Sequence, residues 1–327
     1  MWPRRPLPAP ADGYVLPVAR ALEVDVTEWT TLQLEARGSG ANRWLEDGGG
    51  ASWLYKATRI PTRSSEPQGE DWAEKVAQGL AELIGLPCAD VELAFRNTGE
   101  GREPGVICRD LAGPGLDLQN GAILLQDVPG YRYREVHEGR LRPPRNHVGH
   151  SVSTVVRKLR SLDVMPPAGW DVPGVTAVGL FAGYLVFDAW ISNLDRHEEN
   201  WALLVRADGS VSLAPSYDHG ASLGSALTEA RRQEILAEPV RLVRFADKAY
   251  GRKFQDGHKT PLTAFATAAL DEAGEEARRH WSGRLARVST ADVDDVLSGV
   301  PRMSDPARTF CRQLLHLNRE RVLDVCR

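Results

Sequence analysis

Asp195, Asn200 and Asp218 are the residues of this chain whose types and spacing could do chemistry. In Asn193-Leu194-Asp195-Arg196-His197-Glu198-Glu199-Asn200-Trp201 a carboxylate is followed five residues later by an amide, and a second carboxylate arrives in Ala214-Pro215-Ser216-Tyr217-Asp218-His219-Gly220. That order suits phosphorylation of a hydroxyl, where catalysis is mostly positioning and charge neutralisation. Asp195 is placed to accept or orient the acceptor hydroxyl. Asn200 offers an oxygen ligand without added charge and Asp218 a charged hard ligand, a pair suited to Mg²⁺ bridging nucleotide phosphates rather than to zinc. The competing reading for each residue alone is a turn side chain bonding its own backbone, and the joint spacing weighs against it. His197 reads as a brace for the loop, because no other histidine stands at zinc-motif spacing from it.

The elements that must hold these groups follow from the hydrophobic period. Residues 176–191 are apolar on more than one helical face, with a breach at Asp188, and read as a largely buried helix. Residues 201–205 and 211–214 read as two strands around a tight turn at 207–210. Asp195–Asn200 and Asp218 then sit at the two open ends of one hairpin.

The first third of the chain supplies what a nucleotide would need. Residues 32–36 alternate, Gly38-Ser39-Gly40-Ala41-Asn42 turns the chain, and residues 52–57 return as a strand carrying Lys56. The glycine run fits neither the Walker sequence nor G-x-G-x-x-G and on its own is an ordinary loop; with a strand lysine behind it, it reads as a phosphate cradle of backbone N–H groups. A helix starts near Glu70-Asp71, with Trp72, Val76, Leu80, Leu83 and Ile84 on one face and Gly85-Leu86-Pro87 ending it. Glu74 in its first turn is either a capping-type residue three positions from Asp71 or a partner for Lys56. Residues 91–94 and 105–109 read as strands, and 112–115 as a hinge. Adenine is expected against backbone at Cys108, Arg109 and Asp110. Residues 128–148 have no clean period, and 219–224 form a small-residue loop where an acceptor peptide could lie. Residues 261–273, 281–288 and 307–325 give helical patterns, and the basic run from Arg241 to Lys253 reads as a solvated face or an attractor of acidic groups.

The runs N-x-D-R-H-x-x-N and L-A-P-x-Y-D resemble those of the HipA-like serine/threonine kinases, particularly the short cell-translocating type, and more distantly the D-R-H-x-x-N loop of phosphatidylinositol kinases. The resemblance extends from about Leu34 to Asn318-Arg319. It implies an α+β, bilobal protein-kinase-like fold with a small β-rich N-lobe and a larger helical C-lobe, ATP and Mg²⁺ as cofactors, and a protein substrate phosphorylated on Ser or Thr. By resemblance Asp195 is the catalytic Asp, Lys56 meets the α- and β-phosphates, and Asn200 and Asp218 hold the metal. His219-Gly220 follows Asp218 where protein kinases have D-F-G, so the aromatic switch residue is missing. Autophosphorylation near Ser39 and an inhibitory or antitoxin-like partner are family features. On this reading residues 1–15 are a basic, Pro-rich start, 16–111 the nucleotide-binding N-lobe and 112–327 the catalytic and metal-binding C-lobe.

Composition agrees with such an enzyme. The 327 residues, 42% hydrophobic, suffice for one large or two modest cores, and a formal net charge of -4 does not favour nucleic acid as the main partner. The start of the chain has no apolar core of signal-peptide length, and no run anywhere approaches a membrane span. Cys88, Cys108, Cys311 and Cys326 form no C-x-x-C pair, which points to reduced thiols and the cytoplasm. A small-molecule or lipid kinase shares the same chemistry. A nucleotide-binding pseudokinase would share the fold but is disfavoured by intact Lys56, Asp195, Asn200 and Asp218. A hydrolase lacks a nucleophile motif.

Overall fold

The computed structural model describes residues 22–34, 42–61, 66–137, 140–142, 144 and 146–326, and those up to 109 carry six strands and one helix. β1 (Val24–Asp25), β2 (Thr30–Leu34), β3 (Arg43–Glu46) and β4 (Ser52–Ala57) precede α1 (Glu70–Ile84), and β5 (Val91–Thr98) and β6 (Gly101–Arg109) follow it. They form one sheet in the order β1-β5-β6-β4-β3-β2, antiparallel except for the short β1·β5 pair. Alternation along β4 sends Tyr55 to one face, into a small core with Val26, Leu45, Ala94 and Ile107, and Lys56 to the other. Opposite Lys56 and Ala57 the strands approach so closely that a Cβ on Gly105 would lie 2.5 Å from the Lys56 carbonyl oxygen.

The chain then passes through residues 110–115 to β7 (Leu116–Asn120), α2 (Gly121–Leu124), a ribbon of β8 (Glu135–His137) and β9 (Arg140–Arg142), α3 (Val152–Ser161) and α4 (Ala177–Ile191). β10 (Ala202–Arg206) and β11 (Val211–Leu213) make the expected hairpin, and β7 adds to its other edge. Six helices finish the lobe: α5 (Glu229–Leu236), α6 (Pro239–Ala246), α7 (Leu262–Ala273), α8 (Glu275–Arg287), α9 (Thr290–Ser298) and α10 (Asp305–Cys326). The result is an α+β, bilobal, kinase-like architecture. Among the described residues no helix is long and apolar enough to cross a membrane.

α4 is the axis of the large lobe. All 15 of its residues are buried, against α3, α7, α8 and α10, which is why its apolar residues follow no single stripe. Thr176 caps its start by accepting from the Gly179 N–H, and Ser192 ends it in the left-handed region at φ 53°. Gly183 admits the Trp281 indole to the helix surface, where a Cβ would come within 2.3 Å of the ring.

α1 belongs to both lobes. Trp72, Val76, Leu80 and Ile84 enter the same core as α4 and the C-terminal helices, and α1 packs on α8 and α9 as well as on β5 and β6. Arg302, between α9 and α10, ties the lobes further: it pairs with Glu23 at 2.7 Å and Asp71 at 2.8 Å and donates to the carbonyls of Gly105 and Ala94.

Several elements differ from the sequence expectation. β5 and β6 run on to a two-residue turn, because Thr98 pairs with Gly101 and Pro104 is accommodated, its carbonyl accepting from the Thr58 N–H. β1, β3, β7 and the helices α3, α5, α6 and α9 were not anticipated, and α8 begins six residues earlier than expected, at Glu275 rather than Trp281. These helices are short, and such segments take their helicity from packing more than from propensity.

Removing the Arg302 guanidinium leaves Asp71, nearly buried, and Glu23 without their shared cation. Arg302→Met is expected to lower unfolding free energy by about 3 kcal/mol, read from urea denaturation against wild type.

Candidate active site

The loop between α4 and β10 is wound around one buried ion pair. Asp188 and Arg196 are each 1% exposed. Arg196 grips the carboxylate with two parallel bonds, Nε to Oδ2 and Nη2 to Oδ1, both 2.7 Å, and its Nη1 donates to the Asn200 carbonyl at 2.8 Å. Asn193 Nδ2 donates to Asp188 Oδ1, and Asn193 Oδ1 in turn accepts from the Asp195 N–H. The Asn200 amide donates to the Asp195 carbonyl at 2.7 Å, which leaves its Oδ1 as the atom able to meet a metal. His197 braces the loop as expected: Nδ1 accepts from the Glu199 N–H, while Nε2 stays 3.9 Å from Asp195 Oδ2. Asp188 was legible only as a breach in an apolar helix. A carboxylate in the last turn of a fully buried helix requires a cation, and that requirement was the available signal.

Tyrosines fix the far end of the hairpin against this loop. Tyr217 donates to the Glu199 carbonyl at 2.6 Å and Tyr184 to the Ala214 carbonyl at 2.7 Å. Asp218 follows at φ 61°, a backbone region uncommon for a residue with a side chain and often found where function demands it. Lys56 Nζ lies 2.6 Å from Asp218 Oδ1 and 3.4 Å from Glu74 Oε1, and Glu74 Oε2 accepts from the His219 N–H at 2.8 Å. Strand, helix and post-hairpin segment therefore meet at one ammonium.

Electrostatics follow from that meeting. Burial opposes the charge on Lys56, but Asp218 and Glu74 outweigh it and raise its pKa well above the ordinary lysine value. Asp218 is also opposed by burial, yet the Lys56 charge and hydrogen bond hold its carboxyl well below the usual carboxylate range. Glu74 is raised, by burial first and by Asp218 in addition. His219, where an aromatic switch residue would stand in D-F-G, packs edge-on against Phe187 and bonds Ser216 Oγ at 2.8 Å. Burial and the nearby Arg196 drive its pKa far down, so it is neutral.

The remaining expectations divide. Gly38, Ser39, Gly40 and Ala41 lie outside the described residues; Asn42 stands just before β3. The capping reading of Glu74 is not met, since the helix N-cap is Gly69 with no side-chain cap, and Asp71 instead accepts from Thr58 Oγ1 and pairs with Arg302. Cys108 faces the cluster, its thiol pushed up to about 12 by burial and by Glu74. The Arg109 N–H is engaged by the Asp90 carbonyl and the Asp110 N–H by that of Ser52. Within residues 219–224, His219, Gly220, Ser222 and Leu223 are buried and Ala221 is exposed. The basic run contains a group the sequence reading missed, for Lys253 Nζ lies 2.8 Å from Asp195 Oδ1. Nothing in local spacing signals a contact across so many residues.

A donor set of Asn200 and Asp218 fits a hard cation whose other ligands are phosphate oxygens and water. Among the described residues no group of three His, Cys, Asp or Glu side chains forms a protein-only metal cage.

No protein-family model matches the chain, and no curated protein matches it in sequence. Solved structures do match. The proinflammatory kinase CtkA of Helicobacter pylori superposes with a TM-score of 0.70 at 16% identity, covering 93% of this chain and 97% of that one. HipA of Shewanella oneidensis, solved with HipB and operator DNA, matches at 14% identity with a TM-score of 0.41, covering 100% of this chain and 67% of its own. A Golgi casein kinase gives 11% identity and 0.45, over 94% and 74%. The fold is that of a bilobal kinase, shared with CtkA over nearly the whole of both chains.

Breaking the buried pair from one side is expected to be costly. Asp188→Ala should destabilise the protein by about 3–5 kcal/mol, because Arg196 stays buried without its counter-charge; chemical denaturation of the variant measures it.

Proposed function

We propose that this protein is an ATP- and Mg²⁺-dependent kinase that phosphorylates Ser or Thr on a protein. The observation that carries the reading is Lys56 held between Asp218 and Glu74, with Lys56 and Asp218 162 residues apart in sequence, beside a loop that presents Asp195 and Asn200. Asn200 Oδ1 and the Asp218 carboxylate would hold the metal. When bound, Mg–ATP supplies the phosphoryl group and much of the charge compensation. Lys56, anchored on a central strand and aimed by Glu74, binds phosphate oxygens as a fixed cation. Asp195, its carboxylate partly open to solvent, orients the acceptor hydroxyl and takes its proton. The Asp188–Arg196 pair acts on neither substrate; it sets the backbone from which Asp195 and Asn200 project.

Asp195→Asn is expected to leave Mg–ATP affinity within about threefold of wild type while transfer to the preferred acceptor, found by screening proteins and metabolites with labelled ATP, falls about 10²–10⁴-fold. Transfer at the wild-type rate would remove Asp195 from its role, and label arriving only on metabolites would replace the protein acceptor by a small molecule.

Asp218→Ala should abolish the Mg²⁺ dependence of nucleotide binding, measured by calorimetry with and without the ion. A mutant whose Mg²⁺ dependence is unchanged sinks the metal assignment.

A further inference from the structure

Asp195 carries a cation that phosphoryl transfer as described above does not use. Lys253 Nζ lies 2.8 Å from Asp195 Oδ1, and its side chain comes from the loop before α7, far from the catalytic loop in sequence. At 33% and 36% exposure the pair is open enough that its mutual attraction contributes little to stability. Stability is therefore a poor reason for holding a lysine there.

Its backbone is nevertheless held with care. His150, fully buried, lies flat against Phe254 at 4.5 Å between ring centres and parallel to Trp201 at 6.5 Å. Its Nδ1 donates to the Lys253 carbonyl at 2.7 Å and its Nε2 accepts from Trp201 Nε1 at 3.1 Å. Burial lowers the His150 pKa to about 4, which agrees with a neutral ring committed on both nitrogens. Gln255 adds two bonds, its N–H to the His150 carbonyl and its Oε1 from the Gly149 N–H. Trp201 directly follows Asn200. The segment 253–255 is thus docked through His150 onto the end of the catalytic loop, and the docked residue that reaches the site is Lys253.

We propose that Lys253 is a catalytic residue that binds the phosphoryl group in flight. An acceptor hydroxyl bonded to Asp195 stands about 2.7 Å from the carboxylate, which places the reacting oxygen and phosphorus within a few ångströms of the Lys253 ammonium. As the acceptor oxygen bonds to phosphorus and the bond to ADP breaks, the hydroxyl proton passes to Asp195. The charge that spreads over the equatorial phosphoryl oxygens meets Lys253, whose ammonium has three N–H donors and gives one to Asp195. Lys56, occupied by Asp218 and Glu74, serves the nucleotide, and Lys253 serves the transferred group. This inference rests on the kinase reading above.

The test uses the full chain and needs no acceptor. Affinities for Mg–ADP alone and for Mg–ADP with aluminium fluoride, a planar mimic of the phosphoryl group, are measured for wild type, Lys253→Met and Lys253→Arg. Wild type is expected to bind ADP at least about 10²-fold tighter with the fluoride. Lys253→Met should lose about 10²-fold of affinity for the mimic complex, the loss typical of one removed transition-state donor, with ADP alone changed less than threefold. Lys253→Arg should recover most of the difference. The Met variant should melt within a few degrees of wild type, given the exposure of the pair. Equal losses for both ligands, no loss for either, or no gain from fluoride in wild type overturns the assignment of Lys253 while leaving nucleotide binding intact. Wild type that binds no Mg–ADP overturns the kinase reading and this inference together.

Discussion

The buried Asp188–Arg196 pair is the interaction on which the site's geometry depends. Removing two charges from water costs several kcal/mol per ion, and an apolar pair of equal volume often gives a fold at least as stable. The offset here is geometric. Two parallel guanidinium–carboxylate bonds, the Asn193 amide, the Asn200 carbonyl and Ser216 satisfy both ions at once. What the pair secures is the path of the backbone between α4 and β10. Asp195 and Asn200 leave that path on opposite sides of Arg196, so any shift of the guanidinium would move both.

A second constraint fixes Glu74. In this fold the helix that carries it is not seated on the sheet alone, because Trp72, Val76, Leu80 and Ile84 are packed into the core of the C-terminal helices. Each such side chain contributes about 1.5–3 kcal/mol through burial, so swinging α1 outward would be strongly opposed. Arg302 resists the same movement at the start of the helix by holding Asp71. Lys56 accordingly keeps both carboxylates, and His219 makes a neutral packed wedge under Asp218 in place of a mobile aromatic residue.

The two cations of the site are held by different means. Lys56 is fixed by strand backbone and by the charges around it. Lys253 sits on irregular backbone and owes its place to a histidine stacked on Phe254 and hydrogen-bonded to Trp201. Precision in the second case comes from a hydrogen bond to a carbonyl, which constrains the chain without adding charge near Asp195.

Much of this was legible in the sequence where the determining forces are local. Period two put Lys56 on a strand face, period 3.6 placed α1 and α10, the all-apolar run marked α4 as buried, and the Asp195, Asn200, Asp218 spacing framed one hairpin. The partner of Lys56 was legible as one of two readings of Glu74; only the approach of α1 to the sheet chose between them. The cation for Asp188, the paired N–H groups of Arg109 and Asp110, the burial of His219, Gly220, Ser222 and Leu223 and the contact of Lys253 with Asp195 were decided by tertiary structure. Each depends on a pairing between segments distant in the chain, and residue spacing carries no record of which distant groups will meet.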